Sequence, residues 1–306
     1  MTSLAVGRSA GLTDTGRKRR QNEDAFVCEP PLFAIADGMG GAQAGEVASQ
    51  LAAAAFEEGA AGIHGEDGIA TVVRDANARI FERAVHDPAV AGMGTTATVA
   101  VVDESAATVT IAHVGDSRAY LYRDDVLAQV TTDHSLVGEL VRSGRLTEDE
   151  AAVHPHRSVI TRALGTDADV EVDTLTLDVV AGDLVLLCSD GLSAMLRDEE
   201  IARVLRSSGG EPQAAAEALV AAANAAGGED NVTVVLFELV ESTSAPPSPE
   251  ATEVPGVMAD VLEEDGPTLE DVRRHGAGKG SRWPALLLIL AIVGITAFAL
   301  WWSLVR

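Results

Sequence analysis

Four aspartates stand at the ends of apolar, strand-like runs in this sequence. Asp37 and Asp190 each follow such a run and precede a glycine. Asp24 and Asp230 instead come just before an apolar run. A strand end delivers a carboxylate to a fixed point at a sheet edge, and a following glycine lets other atoms approach it closely. Any one Asp-Gly pair taken singly is more often an ordinary turn, but four such aspartates together favour a shared carboxylate site.

Carboxylates that converge on one sheet edge repel one another unless cations compensate their charge. Because no Cys or His cluster in the sequence has the spacing of zinc ligands, this oxygen-only set suits Mg²⁺ or Mn²⁺. Two such ions about 4 Å apart could bridge one water and lower its pKa from about 15.7 towards 7, which would supply hydroxide at neutral pH. Phosphate oxygens could occupy the open coordination sites.

Composition limits the classes of partner. The chain has 306 residues and a formal net charge of −25, with 47 acidic against 22 basic residues. Such a surface repels nucleic acid, whose phosphates are normally met by Lys and Arg. The acidity either keeps the protein soluble or, in part, holds divalent cations. Hydrophobic residues at 47% and charged residues at 23% are typical of a globular protein.

The two cysteines, Cys28 and Cys188, are too few for a disulfide framework and indicate a reducing compartment. Neither begins the Cys-x5-Arg loop with which a cysteine-based phosphatase holds phosphate. We therefore interpret both as buried free thiols.

The C-terminal end of the sequence predicts a membrane anchor. Residues 283–305 are 23 residues without a charge, and about 20 residues cross a hydrocarbon core of roughly 30 Å. Trp283, Trp301 and Trp302 are placed as interfacial anchors. Four basic residues between 273 and 282 precede the span and only Arg306 follows it, which predicts a cytoplasmic N-terminal bulk. The N-terminus has no long apolar stretch and does not resemble a signal peptide.

Composition also divides the chain. Residues 1–240 have the patterns of a globular domain, and residues 283–305 form the predicted transmembrane helix. Between them, residues 241–282 are rich in Pro, Glu, Asp and Gly and predict a disordered acidic, Pro-rich juxtamembrane linker. Its segment VMADVLEED could form a short helix or a docking motif.

The elements that must position the aspartates alternate in blocks within residues 1–240. Strands come in adjacent groups and helices in pairs, which predicts an α+β layered domain rather than a βαβ repeat. The glycine-rich DGMGG lacks the context of a dinucleotide site. Helical periodicity covers residues 46–60, 68–85, 136–143 and 212–225, and the strand-like runs are AFVCE, LFAIA, TTATVAVV, ATVTIAHV, RAYLY, VDTLTLDV, DLVLLC and NVTVVLFEL.

Eight stretches, in order along the chain, resemble the PPM, or type 2C, metal-dependent protein phosphatases, particularly their bacterial branch. They cover nearly all of residues 8–238. The resemblance implies an α+β fold, a four-layer α-β-β-α sandwich with two central antiparallel sheets, here with a C-terminal transmembrane helix added. The stretches are RRQNEDAF, LFAIADGMGG, MGTTATVAVV, IAHVGDSRAYLYR, TTDHSLV, ITRALG, DLVLLCSDGL and GEDNVTVVLF.

The resemblance also implies a set of metal ligands. Asp37 would bridge two metal ions, and the backbone carbonyl of Gly38 would add a ligand. Asp190 and Asp230 would bind one ion, and Asp24 would hold the other partly through water. Asp37, Asp190 and the phosphate-contacting Arg19 would therefore be the catalytic residues.

The resemblance further implies that Arg19, five residues before Asp24, contacts the substrate phosphate, and a planar guanidinium is well matched to phosphate oxygens. It lies in a basic island, Arg17-Lys18-Arg19-Arg20, whose other members could simply be surface residues. Asp116, in HVGDSRAYL, either lies in a hairpin turn or, as in the bacterial members, binds a third metal.

Residues 134–164 resemble the mobile flap of the bacterial members, and Ser158 within it is a weaker candidate for the third site. One departure concerns the general acid, since animal members carry a histidine where this chain has Met39. His154 and His156 are possible substitutes, although flap histidines are more often surface residues. A metal-bound water is the other candidate for the proton donor.

The sequence thus predicts a serine/threonine phosphatase that hydrolyses phosphoserine and phosphothreonine on proteins by in-line attack of a water activated by Mn²⁺ or Mg²⁺. The activated water makes a covalent phospho-enzyme unnecessary. The expected partners are phosphorylated proteins, Ser/Thr kinases and their substrates, and the membrane, but not nucleic acid. The expected location is the cell membrane, crossed once, with the catalytic domain in the cytoplasm. The alternatives are a catalytically weak sensor of phosphoproteins and a two-metal hydrolase of small phosphomonoesters.

Overall fold

Two antiparallel β-sheets form the centre of the computed structural model, which describes residues 4–40 and 44–242. Within these residues, one sheet has the strand order β1-β11-β10-β7-β8 and the other β2-β3-β5-β6-β9, with β4 pairing on β3. The strands are β1 (Leu4–Asp14), β2 (Asp24–Glu29), β3 (Leu32–Met39), β4 (Gly94–Thr95), β5 (Ala97–Asp103), β6 (Thr108–Val114), β7 (Arg118–Arg123), β8 (Val126–Gln129), β9 (Asp173–Asp178), β10 (Leu184–Cys188) and β11 (Val232–Glu241).

The two sheets pack face to face. Their shared core takes alternate residues of the central strands, because successive side chains of a strand point to opposite faces. The ring of Phe33 on β3 stacks on that of Phe237 on β11, with centroids 4.0 Å apart and planes inclined by 12°. This contact joins the middle of one sheet to the middle of the other.

Helices cover the outer face of each sheet. The helices α1 and α2 share a core with β3, β5 and β6, whereas α6 and α7 share a core with β10 and β11. The result is an α+β domain of helices, sheet, sheet and helices, as the sequence predicted. The helices are α1 (Ala44–Gly59), α2 (Gly65–His86), α3 (Leu136–Arg142), α4 (Glu148–Ala152), α5 (Asp190–Ser193), α6 (Asp198–Ser207) and α7 (Pro212–Ala226).

Helix α1 approaches β3 through alanines. Ala48, Ala52 and Ala55 are buried on the face that meets the sheet. Small side chains there let the helix lie close to the strand, and close approach continues at its N-terminal end. A Cβ atom on Gly38 would lie 2.2 Å from the carbonyl oxygen of Gly45, so only glycine fits at this point of β3.

The predicted elements agree with the structure in most places. Each of the four predicted helices begins and ends within three residues of α1, α2, α3 or α7. Strands β1, β4 and β8 and helices α4, α5 and α6 were not predicted. Cys188 is a buried free thiol, whereas Cys28 is free but only half-buried.

The membrane prediction falls on a part of the chain that the structure does not describe. Within residues 4–40 and 44–242, no helix is both long and apolar enough to cross a membrane. The predicted span at residues 283–305 and the predicted linker, apart from its residues 241 and 242, lie outside the described residues. The domain boundary near residue 240 stays a prediction, and β11 ends at Glu241.

Candidate metal centre

One end of the sandwich holds a cavity of about 170 Å³ lined by aspartates from both sheets. Asp37 lies near the end of β3 in one sheet. Asp190 begins α5 directly after β10 and its following Ser189, and Asp230 lies just before β11, both in the other sheet. The sequence expectation that strand ends bring these carboxylates together therefore agrees with the structure. Gly38 also lines the cavity.

Asp116 reaches the same cavity by a connection between the sheets. It lies between β6 and β7, which belong to different sheets and do not pair with each other. The alternative of a hairpin turn is therefore wrong. Gly115 before it has a φ of +114°, and a Cβ atom there would lie 2.6 Å from the Thr96 methyl carbon, so the sharp connection needs glycine.

Asp24 lies behind the cavity rather than on its lining. It faces Asp37 across the β2–β3 pair. Its Oδ2 atom accepts hydrogen bonds from the hydroxyls of Ser189, at 2.9 Å, and Thr233. Ser189 directly precedes Asp190 and Thr233 lies in β11, so one carboxylate oxygen joins the segments that carry Asp190 and Asp230. Its Oδ1 atom is buried without a hydrogen-bond partner among the described atoms.

Four carboxyls of the site have raised pKa values. Burial raises the pKa of Asp37 well above its ordinary value, and repulsion from Asp24 and Asp190 adds to the effect. Burial likewise raises the pKa of Asp24 to about 7 and that of Asp190 to about 6. Burial, followed by repulsion from Asp190, raises the pKa of Asp116 to about 8. The metal-free site therefore favours protonated carboxyls, and a cation would reverse that preference.

The donor set fits a hard divalent cation. Every lining carboxylate offers oxygen, the ligand that Mg²⁺ and Mn²⁺ prefer. Asp24 and Asp116 each keep one buried Oδ1 atom without a hydrogen-bond partner in the described structure, which is a cost that a cation would remove. Across residues 4–40 and 44–242, no three His, Cys, Asp or Glu side chains are already closed into a ligand cluster.

Arg19 lies at the edge of the cavity, as the sequence predicted for a phosphate contact. Its Nη2 atom is 2.6 Å from Oδ2 of Asp230, and its side chain remains half-exposed. Hydrogen bonding to Asp230 raises the pKa of the guanidinium further, so Arg19 stays cationic. A charged fork is thus held beside the carboxylates but open to solvent.

Residues 134–164 lie partly over the cavity. Ser158 and Ile160 line it, whereas His154 and His156 do not. At its start, His134 donates its backbone N–H to the Gly115 carbonyl, at 2.7 Å, and its Nδ1 atom accepts the Gly115 N–H, at 3.0 Å.

An ion pair also joins the same segment to the residue before Asp230. Arg157 donates to Glu229, with 3.1 Å between Nη2 and Oε2. The segment is therefore attached both beside Asp116 and beside Asp230.

The sequence analysis missed Glu23, which lines the cavity next to Arg19. Burial raises its pKa, and its backbone carbonyl accepts the N–H of Gly38 at 3.1 Å. A second acidic residue was visible in the sequence Asn-Glu-Asp, but the search was for carboxylates directly beside an apolar run, and only Asp24 has that position. Met39 also lines the cavity and has no proton to transfer.

Known proteins share this architecture. A family model described as protein phosphatase 2C matches residues 14–232. The chain is 40% identical over 238 residues to a serine/threonine phosphatase, stp, of Listeria innocua, which covers 74% of this chain and 93% of that protein. A crystal structure of the Mycobacterium tuberculosis serine/threonine phosphatase PstP/Ppp is 41% identical, with a TM-score of 0.72 over 78% of this chain and 100% of that chain. A structure of the catalytic domain of the serine/threonine protein phosphatase PstP in complex with two manganese ions is 39% identical, with a TM-score of 0.71 over 78% of this chain and 100% of that one.

Proposed function

Since the chain belongs to the protein phosphatase 2C family and is a metal-dependent serine/threonine phosphatase, we propose that it hydrolyses phosphoserine and phosphothreonine on proteins at the aspartate cavity. The observation that carries the assignment to this cavity is the meeting of carboxylates from both sheets beside Arg19. A site for a phosphate needs cationic groups, and acidic side chains can serve it only by holding metal ions.

The carboxylates would hold two ions of Mn²⁺ or Mg²⁺. Asp37 with the carbonyl of Gly38, and Asp190 with Asp230, would be the ligands, and all four residues line the cavity. Asp24 would act from behind it. When bound, the ions supply positive charge that orients the phosphate and acidity that activates a water.

Asp116 would serve a third ion. It lies on the connection between the two sheets, two residues beyond the end of β6. Ser158 is a neighbour on the same lining.

Arg19 orients the phosphate. Its guanidinium can donate two parallel N–H groups to two phosphate oxygens, and it now donates to Asp230. Because the side chain is half-exposed, it can exchange that partner for substrate without breaking a buried contact. We therefore expect Arg19 to contribute more to substrate binding than to turnover.

Phosphopeptide hydrolysis tests this proposal. The full chain should release phosphate from a phosphothreonine peptide with Mn²⁺, and EDTA should abolish the release. A phosphoprotein sensor would bind the peptide without turnover. A hydrolase of small phosphomonoesters would show a higher kcat/KM for a small ester than for the peptide. Either of these results would contradict the proposal.

We also propose that the protein opposes Ser/Thr kinases at a membrane. The uncharged residues 283–305, with basic residues before them, support a single span and a cytoplasmic catalytic domain. Full-length protein should remain with membranes after carbonate extraction, and protease outside intact cells should not cleave the domain. Release by carbonate would contradict the span, and cleavage would contradict the orientation.

A further inference from the structure

The connection between β1 and β2 carries the most concentrated positive charge in the described part of the chain. Residues 17–20 are four consecutive basic residues in a protein of net charge −25, and all four side chains are exposed. Solubility does not require cations in a chain already this negative. Only Arg19 has a role in the cavity. We refer to Arg17, Lys18 and Arg20 as the basic loop.

The basic loop is fixed at the rim of the cavity. Arg17 donates its backbone N–H to the Gly228 carbonyl at 2.7 Å. Asn231 donates from Nδ2 to the carbonyls of Thr15 and Gln21, at 3.0 and 2.9 Å. The residues on both sides of the basic loop are thus hydrogen-bonded to the segment that carries Asp230.

Packing leaves this loop little freedom to move away. A Cβ atom on Gly16 would lie 2.1 Å from the carbonyl oxygen of Asp230, so the backbones are in direct contact. Gly16 has a φ of +79°, which glycine tolerates and other residues rarely adopt. The side-chain stem of Arg17 also packs on Gly228.

The cations of the basic loop are available to a partner. Arg17, Lys18 and Arg20 form no ion pair within residues 4–40 and 44–242. Most other arginines described there do pair with a carboxylate, namely Arg8, Arg19, Arg79, Arg83, Arg118, Arg123, Arg157, Arg162 and Arg206.

The spacing matches a peptide that carries a phosphate. The basic loop lies within two residues of Arg19, hence within about 8 Å along the backbone. An extended peptide rises about 3.3 Å per residue, so two or three residues on one side of a phosphorylated residue span the same distance. Salt screens charges beyond about 8 Å, so the basic loop acts on the flanking residues of the substrate more strongly than acidic groups farther away do.

We propose that the basic loop binds acidic side chains of the substrate that flank the phosphorylated residue. The preferred substrates are therefore phosphoproteins with Asp or Glu within about three residues of the phosphorylated serine or threonine. The inference rests on the proposed function, because Arg19 must hold the phosphate for the flanks to reach the loop. Guanidinium groups suit carboxylates through paired N–H donors. Exposed ion pairs are individually weak, so we expect the three cations together to give about a tenfold preference.

Matched phosphothreonine peptides test the inference. Two peptides would differ only in carrying Glu or Lys at the flanking positions. Hydrolysis of p-nitrophenyl phosphate would measure the activity of the cavity on a substrate that has no flanking residues. With Mn²⁺, the full chain should show about tenfold higher kcat/KM for the Glu peptide, expressed in KM and reduced by added salt. The triple variant Arg17→Gln, Lys18→Gln, Arg20→Gln should lose the preference.

A control variant separates the loop from general charge. Arg74→Gln with Arg203→Gln removes exposed arginines on α2 and α6, which do not line the cavity, and should keep the preference. Thermal unfolding should be the same for all three proteins. Equal kcat/KM values for the two peptides in the wild type, or an unchanged preference in the triple variant, would overturn this inference alone. Absence of Mn²⁺-dependent hydrolysis of both the peptides and the small ester would instead overturn the proposed function, and this inference with it.

Discussion

The hydroxyl of Thr233 is expected to control the affinity of the site for metal. It donates to Oδ2 of Asp24, which leaves Oδ1 as the unpartnered atom of that buried carboxyl. Thr233→Val removes the hydroxyl and keeps the shape of the fully buried side chain. The change therefore acts on the orientation of Asp24 and not on the packing of β11.

The magnitude follows from the hydrogen bond that is lost. A hydrogen bond to a charged group contributes about 1.5–3 kcal/mol. The bond favours ionised Asp24, which is the form that binds a cation, so its loss should weaken Mn²⁺ binding by roughly 10- to 100-fold, the usual range for outer-shell partners. Thr13, whose hydroxyl lies 2.7 Å from that of Thr233, loses a partner as well. We expect about 1 kcal/mol of lost folding stability from that second contact.

Isothermal titration with Mn²⁺ measures the affinity directly, and phosphopeptide hydrolysis against Mn²⁺ concentration measures its consequence. At saturating Mn²⁺, kcat should approach the wild-type value. Thr110→Val is the matched control, because Thr110 is a buried threonine of the other sheet whose hydroxyl contacts Thr176 at 3.3 Å. Mn²⁺ affinity within twofold of wild type for Thr233→Val would refute the reasoning. A loss of kcat that excess Mn²⁺ does not restore would refute it too.

Three further predictions concern the carboxylates themselves. Asp190→Asn should lower turnover of a phosphopeptide by several orders of magnitude without changing thermal unfolding in EDTA by more than a few degrees, and a near wild-type rate would contradict its role as a ligand. Asp116→Asn should lower turnover less and raise the Mn²⁺ concentration for half-maximal rate, and superimposable Mn²⁺ titrations of the two proteins would contradict a third ion. The metal-free protein should lose stability as pH rises, because the raised carboxyl pKa values, about 6 for Asp190, about 7 for Asp24 and about 8 for Asp116, favour the protonated folded state below those values and charge repulsion above them. Its Tm in EDTA should therefore decrease as the pH is raised from 5 to 8.5. A Tm that does not change with pH would show that folding does not raise these pKa values.

The strand-end aspartates were predictable because their positions depend on local pattern. A run of apolar residues that stops at Asp37, or begins after Asp230, fixes the carboxylate at a strand end whatever the sheet order is. The sequence could not show which aspartates line the cavity and which lie behind it. Asp24 lies behind the cavity, and only the register of β2 against β3, together with the hydroxyls of Ser189 and Thr233, places it there.

Strand β1 was missed for a packing reason. Its glycines break the apolar alternation that marks a strand, and Gly11 looks like a turn residue. In the structure, a Cβ atom on Gly11 would lie 2.3 Å from the Phe26 ring, so this glycine makes room for an aromatic side chain. The need for that space depends on β2 of the other sheet, so it cannot be recognised from the residues around Gly11 alone.

Helix α6 was missed because few of its residues are buried. Only Ile201 and Leu205 are buried along its ten residues. Two apolar positions four residues apart give one contact stripe, which is too short a repeat to separate from a loop. The hairpin alternative at Asp116 was open because Gly-Asp-Ser between two strands fits a hairpin locally, and only the sheet assignment excludes it.

The alanine face of α1 makes the catalytic end sensitive to side-chain volume at a distance. Ala48, Ala52 and Ala55 are buried against the domain core, so we expect a larger side chain at any of them to push the helix outward. The N-terminal turn of that helix touches the backbone of Gly38 through Gly45, one residue beyond Asp37. The size of the side chains between α1 and β3 therefore helps to set the position of the end of β3. Substitutions on the buried alanine face of α1 would thus shift the carboxylates of the active centre without altering any residue in that centre.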